Sequence, residues 1–347
     1  MSDTTTTEDP LLAETVERLL GDVCPPDEVE RAETSGWSAA TWSALAEKGF
    51  AWVGIDEAAG GSGGSLYDLA AILRAVGRFA APVPIAETAM LGGWCLAESG
   101  LELPSGPVTV VDASGAATIS GGRLRVDGVV AWARHADRIV ATAITDGLHA
   151  FSLRADQVAV TPGANLAGEA RDRVVADVAI DDVEHAALGV DADLLRQRGA
   201  LSRILMAAGA LAAMADMTVA YTHERRQFGK PVATFQAVQQ HLVTAAQSAV
   251  RARMAADIAL RALDRGAPGI TVAAARVVVD DAITLGTRAA HQAHGAMGVT
   301  REYPLHQLSR RLWSWRHEWG TTTEWRRRLG AAVVASGGDS LFGLVTD

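Results

Sequence analysis

The chain has 347 residues, 49% of them hydrophobic, so it can bury a sizeable core and is globular rather than disordered. Its net charge of −10 argues against a nucleic-acid partner, because binding to phosphates needs a basic face. Cys24 and Cys95 are too few for a disulfide framework, which indicates a reducing, cytoplasmic setting. No apolar run reaches the ~20 residues that a membrane span needs. The polar residues 1–9 have none of the features of a secretory signal.

The first third of the chain predicts helices. Apolar residues recur at helical spacing over residues 11–20, 37–51 and 66–79. The glycine-rich residues 57–65 predict a flexible loop before the third of these helices. Their glycine content is typical of a phosphate cradle, but no strand leads into them and no Lys-Ser/Thr pair follows, so we favour a structural loop.

From residue 107 the hydrophobic period changes. Short runs of strand-forming residues, separated by Gly, Asp and Ser turns, predict a small β-barrel or sandwich domain between helical domains. The runs cover residues 108–111, 117–119, 124–126, 139–143, 150–153 and 174–180.

Helical spacing returns near Leu195. The apolar faces predict an antiparallel four-helix bundle, whose last helix is broken at Gly320. These helices cover residues 201–219, 238–263, 270–293, and 305–315 together with 324–335. We therefore predict an α+β multidomain fold, with an N-terminal helical domain (1–105), a middle β domain (106–188) and a C-terminal bundle (189–347).

Residues 221–236 connect the first two helices of this bundle. Gly229 and Pro231 stop the first helix and turn the chain. The turn presents a guanidinium, an aromatic ring and two amides beside two helix ends, in Arg225, Gln227, Phe228 and Gln236. Such groups suit a ligand with phosphates and a flat ring system. A plain helical hairpin, with a solvated arginine and a phenylalanine in the core, is the alternative.

The amino-acid sequence of this turn resembles a motif of a known family. Arg225-Arg-Gln-Phe-Gly229, followed by Phe235-Gln236, is similar to the flavin-binding hairpin of the acyl-CoA dehydrogenases. His291-Gln-Ala-His-Gly-Ala-Met-Gly298, Glu302-Tyr-Pro304 and Gly320-Thr321 resemble the family's Gln-x-x-Gly-Gly-x-Gly, Glu-Tyr-Pro and Gly-Thr, in the same order and at the same spacings. The resemblance covers nearly the whole chain and is weakest over residues 107–187.

The resemblance implies an FAD cofactor and an acyl-CoA substrate that is desaturated between its α and β carbons. It assigns flavin binding to Arg225, Gln227, Phe228, Gln236, Gln292, Gly295, Ala296, Gly320 and Thr321. In the family, the hairpin and the Gln-x-x-Gly-Gly loop reach across a dimer to a flavin that sits largely in another subunit.

Other family features are missing. The position of the usual catalytic Glu is Trp319, and the alternative base position is Ile270. Glu318 stands one residue before the usual position, so it is a weak candidate for the base. The family's Thr-Glu-Pro-x-Ala-Gly-Ser-Asp string is absent, and the region around 111–115 is shorter and dissimilar. After Trp132, the flavin-contacting Thr of the family is replaced by Arg134.

This pattern resembles the small, base-lacking subunits of heterotetrameric acyl-CoA dehydrogenases from bacterial sterol side-chain breakdown. It implies a homologous catalytic partner that carries the base. Two alternatives stay open: a self-sufficient homo-oligomeric dehydrogenase that uses Glu318, and a flavin-free scaffold or regulatory protein of the same fold. His291 and His294 lack a third ligand, so we expect no metal site.

Overall fold

The structure is a computed structural model that describes residues 8–111 and 116–336. The chain forms two compact units. The first unit consists of two segments, the residues up to Val76 and Ala81–Gly199. The second unit consists of Gly77–Ala80 and the residues from Ala200 onward. The predicted division at residues 105 and 188 stays a proposal.

The N-terminal helices form where the spacing predicts them. They are α1 (Pro10–Val23), α2 (Pro26–Ser35), α3 (Ala39–Glu47), α4 (Leu66–Arg78) and α5 (Gly93–Glu98), with a π-helical turn over Ala86–Gly92 directly before α5. The prediction of a single helix over residues 37–51 is wrong at its C-terminal boundary. Helix α3 stops at Glu47, because Gly49 has a left-handed φ of +76° and starts a separate 3₁₀ turn.

The glycine-rich loop is held by backbone hydrogen bonds, contrary to the flexibility that its composition suggests. The amide of Gly54 donates to the carbonyl of Gly63 (2.8 Å), and the amide of Gly63 donates to the carbonyl of Ile55 (2.9 Å). A Cβ atom at Gly61 would lie 2.1 Å from the carbonyl oxygen of Ile55. These glycines therefore allow close backbone packing within the N-terminal helical region.

The middle region is a β-sandwich. Its strands are β1 (Val108–Val111), β2 (Ala117–Ser120), β3 (Arg123–Ala131), β4 (Arg138–Ile144), β5 (Leu148–Arg154), β6 (Ala159–Thr161), β7 (Arg171–Ala179) and β8 (Glu184–Ala187). They form two four-stranded sheets, β1-β4-β5-β8 and β2-β3-β7-β6, in which only β1 and β4 pair in parallel. Alternate residues of both sheets, such as Leu124 and Phe151, share one buried core. The sequence patterns missed β6 and β8, which are short and mostly exposed.

The C-terminal region is helical, as predicted. It contains α6 (Ala192–Glu224), the two-residue strands β9 (Arg226–Gln227) and β10 (Lys230–Pro231), α7 (Gln236–Asp264), α8 (Gly269–His294), α9 (Leu305–Trp315) and α10 (Thr322–Ser336). Small residues bring the helices close together. A Cβ atom at Gly286 of α8 would lie 2.9 Å from Leu211 of α6 and 3.1 Å from Ser248 of α7. The α+β fold with helical, β and helical parts is thus confirmed.

Helix α6 is long and rich in apolar residues. Within the described residues, it is the one helix long and apolar enough to cross a membrane, with 33 residues and a mean hydropathy of 1.6 over its best window. However, 67% of that window is buried within the protein. Its apolar side chains therefore belong to the core of the C-terminal unit.

Candidate functional site

The hairpin between α6 and α7 has a strained and exposed tip. Strands β9 and β10 pair Gln227 with Lys230. Phe228 and Gly229 between them have φ angles of +51° and +80°. Such angles match a two-residue hairpin turn, but phenylalanine in the left-handed region costs roughly 1–2 kcal/mol. The Phe228 side chain is 90% exposed, so the alternative in which it belongs to the core is wrong.

The backbone at the base of the hairpin is well secured, whereas its polar side chains are exposed. The amide of Arg225 donates to the carbonyl of Tyr221, and the carbonyl of Arg225 accepts from the amide of Val232, both at 2.8 Å. The side chains of Arg225, Gln227 and Gln236 face solvent. Gln236 opens α7, whose N-terminus has no side-chain cap. A guanidinium beside uncapped amides is a donor set that fits the diphosphate of FAD.

The second predicted segment follows the end of α8. Gln292 is exposed in the last turn of that helix, and Ala296 is exposed just beyond it. Gly295 between them has φ +62° and ψ −139°, and a Cβ atom there would meet nothing within 4 Å. Gly298 is buried, and a Cβ atom at this position would lie 2.9 Å from His294. The loop thus has an open outer side and a packed inner side.

Three aromatic rings connect these two segments. His294 is buried and stacks on Tyr221, with ring centroids 4.4 Å apart. Tyr303 lies 4.9 Å from His294 and 5.4 Å from Tyr221, and its hydroxyl donates to the carbonyl of Met217 (3.3 Å). Because Tyr221 precedes the hairpin and His294 precedes Gly295, the ring cluster sets the spacing between them. Sequence reasoning favoured packing or a place near the flavin for His294, but it did not identify Tyr221 and Tyr303 as the ring partners.

The structure gives His294 a packing role. Its Nδ1 atom lies 2.8 Å from the carbonyl oxygen of Ala290, which makes Nδ1 the protonated nitrogen. Burial lowers the pKa of His294 below 6.5, and the nearby His291 lowers it further. Among residues 8–111 and 116–336, no group of three His, Cys, Asp or Glu side chains is arranged to hold a metal ion.

We expect His294 to make the protein sensitive to acid. A histidine whose pKa is depressed in the folded state favours folding above its unfolded pKa, and this contribution is lost as the pH falls below about 6.5. His294→Phe keeps the ring stack but cannot titrate, so its melting temperature should fall less steeply with acid than that of the wild type. Thermal melts between about pH 5 and pH 8 measure this, with the exposed His317→Phe as control. Equal slopes for wild type and His294→Phe would contradict the assignment.

Glu318, the candidate base, is bound in an ion pair. Its carboxylate lies 2.6 Å from Nε of Arg203, whose side chain is 2% exposed. Beside this pair, buried Arg276 contacts the carboxylate of Asp280 at 3.1 Å and donates to the carbonyl of Trp315 at 2.9 Å. The side chains around Arg203 and Arg276 leave no cavity large enough for a water molecule. Glu318 therefore balances a buried cation, which is a structural role.

Two apolar residues stand at the positions where the resemblance places the family's base. Trp319 has a left-handed φ of +59°, and its carbonyl accepts a hydrogen bond from Nε1 of Trp325 (3.1 Å). Ile270 is half-buried in the first turn of α8. Neither side chain can accept a proton, so neither can serve as a general base.

The Gly-Thr motif has a local role in this structure. Gly320 has a φ of +106°, which turns the chain into α10. The hydroxyl of Thr321 accepts from the amide of Glu324 (3.3 Å), and the Glu324 carboxylate accepts from the amide of Thr321 (2.6 Å). This reciprocal pair is a capping box. Thr321 therefore starts α10 and stays an unproven candidate for flavin binding.

In the described part of the β-sandwich, Arg134 stands where the resemblance places a flavin-contacting Thr, and its side chain has partners within the sandwich. Arg134 forms an ion pair with fully buried Asp172 at 3.0 Å and donates to the carbonyl of Gly163 at 2.6 Å. Its guanidinium is thus used within the sandwich. Residues 112–115, part of the stretch that is dissimilar to the family, lie outside the described residues. The described donors fit the diphosphate end of FAD, and they do not fit its ring end.

Sequence reasoning missed the partners that decide these roles. Arg203 lies between Leu201 and Ile204 on the apolar face of α6, and an arginine on such a face is a signal of a buried ion pair. Asp172 stands among the strand residues of β7 and gave no comparable signal. The identity of each partner was not readable from the sequence.

Comparisons with known proteins identify the family of the chain. Residues 6–102 and 194–334 match the family profiles described as the N-terminal and C-terminal domains of acyl-CoA dehydrogenases. The acyl-CoA dehydrogenase IpdE2 of Mycolicibacterium smegmatis is 29% identical over 343 residues, which covers 93% of this chain and 98% of that protein.

Solved structures show the same fold. A chain of the ChsE4-ChsE5 complex from Mycobacterium tuberculosis has a TM-score of 0.84 and 24% identity, and the match covers 97% of this chain and all of that one. A chain of the Tcur3481-Tcur3483 steroid acyl-CoA dehydrogenase has a TM-score of 0.83 and 24% identity, over 95% of this chain and 98% of that one. The protein therefore belongs to the acyl-CoA dehydrogenase family of oxidoreductases.

Proposed function

We propose that this chain is the non-base-bearing subunit of an FAD-dependent, cytoplasmic acyl-CoA dehydrogenase that shares a flavin site with a homologous catalytic partner. The observation that carries the proposal is a contrast between two side chains, the carboxylate of Glu318 and the guanidinium of Arg225. Glu318 is paired with buried Arg203, whereas Arg225 on the hairpin is exposed. The chain keeps groups that suit the flavin of a neighbouring subunit. It has no proton-accepting side chain at the positions where the resemblance places the family's base.

The reaction divides between the two subunits. Bound FAD supplies the acceptor for the hydride that leaves the β carbon of the CoA thioester. The partner's carboxylate removes the proton from the α carbon, which needs a base within ~2.6–3.2 Å. In this chain, Arg225, Gln227 and Gln236 would hold the diphosphate and adenosine end of FAD, together with Gln292, Gly295 and Ala296. Arg225 contributes a fixed fork of donors that suits a diphosphate.

The relatives suggest the substrate class. One related structure is named as a steroid acyl-CoA dehydrogenase, and another is a complex of two different chains. We infer that the substrate is a CoA thioester with a bulky acyl group, and that the assembly is a heterotetramer. The buried Arg203–Glu318 pair also argues against the self-sufficient alternative, because a proton taken up by Glu318 would remove the negative charge that it holds beside buried Arg203.

Reconstitution tests the proposal. The chain is purified alone and after co-expression with an acyl-CoA dehydrogenase homologue that carries the catalytic Glu, and two quantities are measured: the ratio of flavin to protein and the acyl-CoA-dependent reduction of flavin. We expect flavin and turnover only in the co-expressed complex. Flavin with turnover in the chain alone would support the homo-oligomeric dehydrogenase, and no flavin in either sample would support the scaffold.

A further inference from the structure

Arg198, in the second turn of α6, is a buried cation that contacts no carboxylate. The residue is 9% exposed, and within residues 8–111 and 116–336 it forms no ion pair. Its Nε donates to the carbonyl of Met90 at 2.9 Å, and its guanidinium carbon lies 4.1 Å from the centre of the Trp94 ring. These three residues belong to the first compact unit. A buried guanidinium normally has an anion beside it, because removing a charge from water is unfavourable.

Other buried arginines of the chain follow that rule. Three of them contact a carboxylate, in the pairs Arg74–Glu8 (2.5 Å), Arg203–Glu318 (2.6 Å) and Arg276–Asp280 (3.1 Å). Arg198 is buried to a similar degree, but the described part of its own chain does not neutralise its charge by contact.

The groups next to Arg198 do not supply an anion. Burial raises the pKa of the Cys95 thiol to about 12, so Cys95 is neutral at pH 7. The carboxylate of Glu98 accepts from Nε1 of Trp94 at 3.0 Å and forms no ion pair with Arg198. Burial lowers the pKa of Arg198 to about 10, which still leaves the guanidinium charged at pH 7. A full positive charge is therefore held here without a contacting anion.

One edge of this guanidinium is available to a ligand. Nε is bonded to Met90, whereas Nη1 and Nη2 of Arg198 donate to no acceptor among the described residues, and neither atom is fully buried. The Trp94 ring covers one face of the guanidinium, so a ligand would bind in the guanidinium plane, at the edge formed by Nη1 and Nη2. Two parallel N–H groups in one plane match the two oxygens of a carboxylate.

We propose that Arg198 binds the carboxylate of a small organic acid. A single fork of donors suits a planar monoanion, and the low exposure of the site strengthens the charge-assisted hydrogen bonds. A phosphate dianion fits less well, because no second cation acts on Arg198 and Glu98 would repel a dianion more strongly than a monoanion. The aromatic face of Trp94 and the carbonyl of Met90 fix the orientation of the fork.

Titration of the purified chain with sodium propionate, against sodium chloride at equal ionic strength, tests the proposal. We expect saturable binding by calorimetry and a rise in melting temperature with propionate. Arg198→Met should still fold, since an apolar replacement of a buried charge is often neutral, and should weaken binding at least ~10-fold. Arg198→Lys keeps the charge without the fork, so it should bind with intermediate affinity. Arg18→Met, at an exposed position on α1, is the matched control and should bind like the wild type.

These measurements use neither flavin nor a partner subunit, so their outcome is independent of the proposed function. A wild-type chain that shows no saturation up to roughly 100 mM propionate, or equal affinity in Arg198→Met, would overturn the proposal. So would tighter binding of inorganic phosphate than of propionate, because it would assign the site to a phosphate group. If Arg198→Met does not fold, Arg198→Lys decides: weaker binding supports the proposal, and unchanged affinity contradicts it.

Discussion

Glu318→Gln in this chain is expected to leave turnover per bound flavin in the reconstituted complex close to wild type. Glu318 is paired with Arg203 at 2.6 Å, and the resemblance places the usual base at Trp319, so we propose that the reaction uses no proton acceptor in this chain. The matching Glu→Gln change in the partner should lower the rate by ~10²–10⁴-fold, the usual contribution of a positioned general base. The rate of acyl-CoA-dependent flavin reduction in each mutant complex measures both effects.

The same substitution should lower stability, which separates a structural role from a catalytic one. Breaking a buried ion pair costs about 3–5 kcal/mol, and the cost is smaller here because Glu318 keeps 19% of its side chain exposed. Denaturant unfolding of Glu318→Gln should therefore show a loss, while the exposed Glu184→Gln should show almost none. A fall in turnover of two or more orders of magnitude, with flavin still bound, would place the base in this chain.

Arg225→Ala is expected to weaken FAD binding by the complex about 10- to 150-fold, since a hydrogen bond to a charged group contributes ~1.5–3 kcal/mol. The side chain is exposed and the local backbone is held by its own hydrogen bonds, so folding should be largely unaffected. Flavin content after dilution and the melting temperature are the two measurements.

The neighbouring Arg226→Ala is the matched control, because Arg226 is also exposed and lies on the same hairpin. It should reduce flavin occupancy much less than Arg225→Ala. Arg225→Lys should fall between them, since lysine keeps the charge but loses the planar fork. Unchanged flavin occupancy in Arg225→Ala would count against the assignment of this residue.

Local patterns in the sequence were sufficient for most elements. The spacing of apolar residues predicts α9 over 305–315, where the structure has Leu305–Trp315, and it predicts α8 within one residue at each end. Glycine and proline marked the hairpin after α6. These features depend on residues close together in the chain, which is why periodicity reports them.

Short or polar elements escaped the same reasoning. Strand β6 covers only Ala159–Thr161, and β8 contains Glu184 and His185. Their place in the sheets comes from hydrogen bonds to β7 and β5. The high glycine content of residues 57–65 did not distinguish a flexible loop from a tightly packed one, since glycine occurs both in flexible loops and at close backbone contacts.

The chemistry of the candidate site depended on contacts between distant residues. The sequence by itself determined that Arg225 and its neighbours resemble a flavin-binding hairpin, and this resemblance places the family's base positions at Trp319 and Ile270. Only the tertiary structure decided that Glu318 pairs with Arg203, 115 residues away, and that Arg134 pairs with buried Asp172. A buried charge needs a partner to offset its desolvation, but the choice of partner is made by the packing of helices and sheets, which no local pattern encodes.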